Sequence, residues 1–158
     1  MAQVDTVIQG GQVVRRDGTR SEDIAVRDGK IVAVGDPGTM PEAKEVIDAA
    51  GLHVIPGVID PHVHLQLFKN PFEVNVLTES RSFAAGGVTT AIPMLLNRED
   101  ATKSYREYTP WAIDVVEKNS MIDMAFSAVL GTEEQIEDIP FLVREYGMCS
   151  FKFYMAYT

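Results

Sequence analysis

The chain has 158 residues, with 14 Lys+Arg against 23 Asp+Glu and a formal net charge of −9. That balance, with no basic run longer than Arg15-Arg16, excludes a phosphate-tracking nucleic-acid binder. Hydrophobic residues at 46% imply a packed core, and no stretch approaches the ~18 consecutive apolar residues of a membrane span, so neither disorder nor a membrane partner is expected.

Residues 4–35 read as short strands with turn punctuation: Val4–Ile8, Gly10-Gly11, Gln12–Arg15, Asp17-Gly18, Asp23–Arg27, Asp28-Gly29 and Lys30–Val34. Asp28-Gly29 between two apolar runs is a two-residue hairpin signal, because a type I′ turn needs positive φ at both central positions. Glu45–Asp48 adds a further strand. After residue 52 the pattern becomes alternating strand and helix. Val54–Asp60 is a strand, residues 78–85 a helix stopped by Gly86-Gly87, and Val88–Met94 a strand. Residues 101–118 read as a helix broken before Pro110, and Met121–Leu130 as a strand. Thr132-Glu-Glu-Gln135 is a capping box opening a helical stretch that restarts at Pro140 and ends at Gly147, and Cys149–Met155 is the last strand.

Strands and helices at this spacing predict parallel βα units. Four such strands are about half of a TIM barrel, which needs eight strands and ~200 residues or more. An open doubly wound sheet would suit the length, but no Gly-rich phosphate loop follows any strand. The expected class is therefore α/β: residues 1–52 as part of a small β-sandwich, and residues 53–158 as the first half of a barrel. The sole cysteine, Cys149, cannot form an intrachain disulfide, and the first residues lack the order of a signal peptide, so a cytoplasmic location is expected.

The chemistry concentrates in two segments. In Asp60-Pro-His62-Val-His64, residues two apart on an extended strand share a face, which places two imidazoles about 7 Å apart at the strand's end. Two neutral imidazoles there can grip one metal ion, with Asp60 beside them as a supporting acceptor; the bland alternative is a pair of half-buried histidines. His53, the remaining histidine, has no partner at ligand spacing and reads as structural. In Ser150-Phe-Lys152-Phe-Tyr154, a lysine sits in a strand among aromatic residues, and burying an unpartnered ammonium is costly. A carboxylate partner or a snorkelling side chain would relieve that cost. So would reaction of the neutral amine with carbon dioxide, which turns +1 into −1 and supplies two hard oxygens able to bridge two cations.

Residues 54–64 (Val-Ile-Pro-Gly-Val-Ile-Asp-Pro-His-Val-His), the run Ala-Ala-Gly-Gly-Val-Thr-Thr at 84–90 and the run Ser-Phe-Lys-Phe-Tyr-Met-Ala-Tyr at 150–157 together resemble the dihydropyrimidinase/hydantoinase branch of the cyclic amidohydrolases. The resemblance covers essentially the whole chain. It implies a TIM barrel, a β-sandwich built from both chain ends, and two divalent metal ions, usually zinc, at the barrel's C-terminal face. By position, His62 and His64 would bind the first metal and Lys152, carboxylated by carbon dioxide, would bridge both. Tyr157 would contact the substrate and stabilise its oxyanion, with Asp60 in support. Dihydroorotase-like members commonly carry arginine, for a substrate carboxylate, where this chain has Gln66; a neutral side chain favours uncharged rings such as dihydropyrimidines, hydantoins or related imides.

The implied reaction is ring opening by a metal-bridged hydroxide, with an aspartate on the last barrel strand shuttling the proton. That aspartate and two further histidines of the family have no counterpart here, so the chain reads as an N-terminal portion, inactive alone. The rest of the barrel would come from the parent chain or a second polypeptide, commonly within a tetramer. The rival readings are a non-catalytic dihydropyrimidinase-like scaffold or an inactive structural subunit.

Overall fold

The turn at Asp28-Gly29 sets the first sheet. In the computed structural model, which describes residues 3–65, 70–96 and 104–155, both turn residues have positive φ (51° and 70°), as a type I′ turn requires. The turn joins β2 (Gly18–Arg27) to β3 (Lys30–Gly35) antiparallel, and β2 also pairs antiparallel with β1 (Val4–Arg15). Instead of two runs separated by Gly10-Gly11, β1 is one strand whose register shifts between Ile8 and Gly11. The glycine pair makes a bulge, not a turn. The two halves of β1 then take different parallel partners, β4 (Ala43–Asp48) over Val4–Gln9 and β5 (His53–Val54) at Gln12 and Val13. Val4, Val7 and Ala25 are the buried centre of this sheet.

The chain divides into two compact units, Met1–Pro56 and Gly57–Thr158. The second runs β6 (Val58–Val63), α1 (Phe72–Ala85), β7 (Val88–Leu95), α2 (Tyr105–Asn119), β8 (Asp123–Met124), β9 (Ser127–Leu130), α3 (Glu133–Glu137), α4 (Ile139–Tyr146) and β10 (Ser150–Phe153). Its strands pair in parallel in the order β10-β9-β7-β6, so chain order and spatial order coincide. A doubly wound sheet reverses order at a switch point, and these four strands do not. Val76, Leu95, Tyr105, Ala128 and Leu142 anchor the helix-side core.

Several expected boundaries move. Helix α1 starts at Phe72 rather than residue 78, because Phe72, Val76 and Ser80, four apart, bury one stripe. Helix α2 runs through Pro110 without a break. The carbonyl that loses its donor there belongs to the exposed Arg106, where water can replace it. The strand expected over Met121–Leu130 lapses between β8 and β9, yet both keep one register with β7: Ala91 faces Met124 and Met94 faces Ser127. Pro93, opposite the lapse in that register, has no N–H to give. The break expected in the helical stretch after Thr132 is real: α3 stops at Glu137 and α4 restarts at Ile139 with Pro140 in its first turn. Thr132 caps α3 by accepting from the Gln135 amide at 3.3 Å. Strand β6 begins at Val58, not Val54, because Pro56-Gly57 interrupts the run, and β10 is confined to Ser150–Phe153.

Candidate metal centre

The opening strand of the parallel sheet comes unusually close to its neighbour. A Cβ on Gly57 would lie 2.1 Å from Thr89 Oγ1, so only glycine lets the chain enter β6 at this spacing. From there the Val58 amide donates to the Gly87 carbonyl at 3.0 Å, and Asp60 pairs with Ala91. The register then shifts before Val63 meets Pro93. Pro61 within this stretch cannot donate to the ladder, and a bulge of this kind turns side chains away from strict alternation. The Asp60 carboxylate accepts from the His62 backbone amide at 3.1 Å, which restrains the chain at the bulge.

The consequence is a close pair of imidazoles. The His62 and His64 ring centroids are 5.3 Å apart with their planes at 62°, nearer than the spacing expected of an ideal strand. His64 lies just past the end of β6, where the pleat no longer governs it. Two imidazoles on one tetrahedral zinc, each nitrogen about 2.0–2.1 Å from the ion, hold their ring centres roughly 5 Å apart. The observed pair has that separation, and both residues are exposed. The donor set of this strand therefore fits a borderline divalent cation.

Lys152 is the third residue of β10 and faces Val129 of β9 in the register. It is half-buried rather than sunk among the aromatic residues, and its Nζ lies 5.1 Å from the centre of the Tyr154 ring. The cost anticipated for a buried ammonium is thus partly met by partial exposure and a cation–π contact. β6 and β10 are the two outer strands of the parallel sheet, with β7 and β9 between them. Three strand spacings of about 4.8 Å would put them roughly 14 Å apart in a flat sheet, so joint ligation needs the curvature of a barrel wall. The structure thus pairs His62 with His64, and sets Lys152 at the same C-terminal end of the sheet on its other edge. Among the described residues, no group of three or more His, Cys, Asp and Glu forms a metal cage. Gln66 and Tyr157 lie outside the described residues. His53 is exposed on β5 opposite Gln12.

One residue near this end has no counterpart in the sequence reading. The Tyr105 side chain is fully buried, and its hydroxyl lies 2.9 Å from the Leu95 carbonyl oxygen and 2.5 Å from that of Val129. Burial pushes its phenol upward, so it remains a hydrogen-bond donor across the working range. The only sequence signal was Ser104, the N-cap of α2, directly before it.

No family model matches the chain. An allantoinase of Desulfitobacterium hafniense (strain Y51) is 37% identical over 163 residues, covering 100% of this chain and 34% of that protein. The dihydropyrimidinase from Brevibacillus agri NCHU1002 superposes with a TM-score of 0.79 at 28% identity, over 97% of this chain and 33% of that one. The L-hydantoinase (dihydropyrimidinase) from Arthrobacter aurescens gives 0.76 at 28% identity, over 94% and 32%. The chain belongs to the cyclic amidohydrolase family. It corresponds to the N-terminal part of its relatives and spans about a third (34%) of the length of the allantoinase it matches. The names of these relatives are those of enzymes that hydrolyse cyclic amides. No helix among the described residues is long and apolar enough to cross a membrane.

Proposed function

We propose that this chain supplies the first part of the active site of a metal-dependent hydrolase that opens a neutral cyclic amide ring. A hydantoin-type ring, the class to which allantoin belongs, is the substrate the relatives' names support best. The observation that carries the reading is the imidazole pair of His62 and His64, 5.3 Å apart at the C-terminal end of the opening parallel strand. In this reading residues 1–52 form part of a β-sandwich, and residues 53–158 the first four βα units of a TIM barrel. The unreversed order β6-β7-β9-β10 supports a barrel wall.

His62 and His64 would hold the first of two divalent ions, zinc by their nitrogen donors, while Asp60 restrains the His62 backbone. The Lys152 amine, once deprotonated, could add carbon dioxide, forming a C–N bond and losing one proton, and the resulting carbamate would offer hard oxygen donors to the ions. When bound, the ions supply a water acidified toward neutrality and polarise the ring carbonyl. Tyr157 would donate to the oxygen of that carbonyl as negative charge develops on it. Gln66, at the position where dihydroorotase-like proteins carry arginine, would offer no cation to a substrate carboxylate, which suits an uncharged ring. The further ligands and the proton-shuttling base would come from sequence beyond these residues, within a homo-oligomer located in the cytoplasm. A scaffold without catalysis would have no use for a matched imidazole pair.

The test is metal analysis and ring-opening assays on the full-length protein that contains this chain, using hydantoin, dihydropyrimidine and allantoin. His62→Ala is expected to lose one metal per site and at least a hundredfold in activity. Full metal content and turnover in that variant would refute the proposal, and residues 1–158 alone are expected to show no turnover.

A further inference from the structure

The strand that carries Lys152 has only four residues, Ser150–Phe153, and lies at the edge of the parallel sheet. A strand that short is weakly fixed in register, and a slip of one residue would turn Lys152 to the opposite face. Among the described residues its only sheet partner is β9, whose Val129 faces Lys152. The position of the lysine is therefore no better defined than that of β9. β9 in turn pairs directly with β7 at two positions, Met94 with Ser127 and Leu95 with Ala128. Beyond Leu95, β7 has ended, while β9 continues through Val129 to Leu130.

At that point a side chain takes over from the ladder. The Tyr105 hydroxyl has one proton, shared between the Leu95 carbonyl of β7 at 2.9 Å and the Val129 carbonyl of β9 at 2.5 Å. The phenol is held from behind. The buried Asp138 carboxylate accepts from the Tyr105 amide at 2.8 Å and from Ser104 Oγ at 2.6 Å, and pairs with Arg106 Nε at 2.8 Å. At the start of β9, on the side of β10, Ser150 Oγ donates to Ser127 Oγ at 2.9 Å. One polar tie thus pins the start of β9 and β10, and a second pins the end of β9 to β7, with Lys152 between them.

We propose that Tyr105 is a positioning residue for Lys152, its hydroxyl fixing the end of β9 against β7 and so setting where the lysine's terminal atoms stand relative to the histidine strand. The inference rests on the reading of Lys152 as a carbamate shared by two metal ions. Tyr105→Phe removes the hydroxyl while preserving the ring that fills the core. In the full-length protein this variant is expected to keep its far-UV circular dichroism and to bind zinc about 10- to 100-fold more weakly, the loss typical of a group that orients a ligand without touching the metal. The carbamate carbon signal, read by NMR after incubation with 13C-labelled bicarbonate, should weaken in parallel. Turnover should fall with little change in KM. Tyr108→Phe is the control: its hydroxyl, one helical turn on, donates to the Leu96 carbonyl at 3.3 Å, and its loss should leave zinc affinity and the carbamate signal at wild-type levels. Should Tyr105→Phe fail to fold, Asp138→Asn carries the test, because it loosens the anchor and leaves the phenol in place.

Wild-type zinc affinity and carbamate signal in a folded Tyr105→Phe or Asp138→Asn protein, with only a lower melting temperature, would overturn the proposal. Lys152→Ala separates this failure from that of the underlying reading. If Lys152→Ala itself retains all its zinc and activity, the lysine is no ligand and the functional reading fails. If it loses both while Tyr105→Phe keeps both, only the positioning role fails.

Discussion

The first unit is built largely from neighbours in sequence, whereas the second is built from strands separated by whole helices. β1, β2 and β3 follow one another through short turns and pair antiparallel, so the turn at Asp28-Gly29 fixes register locally. β6, β7, β9 and β10 are joined only by crossovers, and their register has to be set by packing and by long-range polar contacts. Two buried carboxylates show the difference. Asp23 accepts from the backbone amides of Gly10 and Gly38, at 2.9 and 2.8 Å, and closes loops next to its own strand. Asp138 instead ties the α3–α4 junction to the first turn of α2, more than thirty positions earlier (|i−j| = 33 to the Tyr105 amide). The lesson is that the unit bearing the candidate centre is the one whose geometry depends on distant residues.

Removal of core volume gives the sharpest contrast. Leu142 on α4 is fully buried (0%), and Leu142→Ala should cost about 2–5 kcal/mol in denaturant unfolding. Val46 on β4 is 57% exposed, and Val46→Ala should stay within about 0.5 kcal/mol. Equal losses would break the comparison. The next effect is conformational: Gly29 has φ of +70°, and Gly29→Ala should destabilise the first unit by about 1 kcal/mol through the turn alone. An unchanged melting curve for Gly29→Ala would show that the hairpin does not depend on its turn.

The smallest effect is electrostatic and lies on the surface of the first unit. The Lys44 ammonium and the Asp28 amide, both donating to Asp5, hold its carboxyl below the usual value of 3.8, while Asp5 holds the Lys44 amine above 10.5. The depressed Asp5 contributes stability that is complete above the ordinary carboxylate pKa and is lost as pH falls through its folded value. The raised Lys44 contributes stability that is complete below 10.5 and is lost as pH rises through its own folded value. Lys44→Ala should therefore be slightly less stable than wild type near neutrality. That gap should close in acid and also in about 1 M salt, where screening is strong. A gap indifferent to both would mean that the lysine acts through packing.

The patterns that were legible are those with a local cause. Asp28-Gly29 announced its hairpin, Thr132 its helix start, and the switch to alternating strand and helix announced a parallel sheet. His62 and His64 were visible because two imidazoles at a strand end are rare and chemically loaded. Elsewhere the surroundings decide against the local signal. Pro110 reads as a helix breaker, but its lost bond falls on the exposed Arg106 carbonyl, where water serves; Gly10-Gly11 reads as a turn, but β4 and β5 each pair with one half of β1 and the glycine pair becomes a bulge.

By itself the sequence determined element types, the hairpin and the identity of the candidate ligands, because turn chemistry, hydrophobic period and side-chain reactivity are properties of short segments. Only the tertiary structure decided that the imidazoles stand 5.3 Å apart, since a register shift between Asp60 and Val63 and the end of β6 at Val63 free the pair from strict strand alternation. It alone decided, too, that the Tyr105 hydroxyl closes the end of β7 on β9. A buried phenol has one proton to give, and which carbonyls receive it depends on how two strands far apart in the chain come to lie side by side.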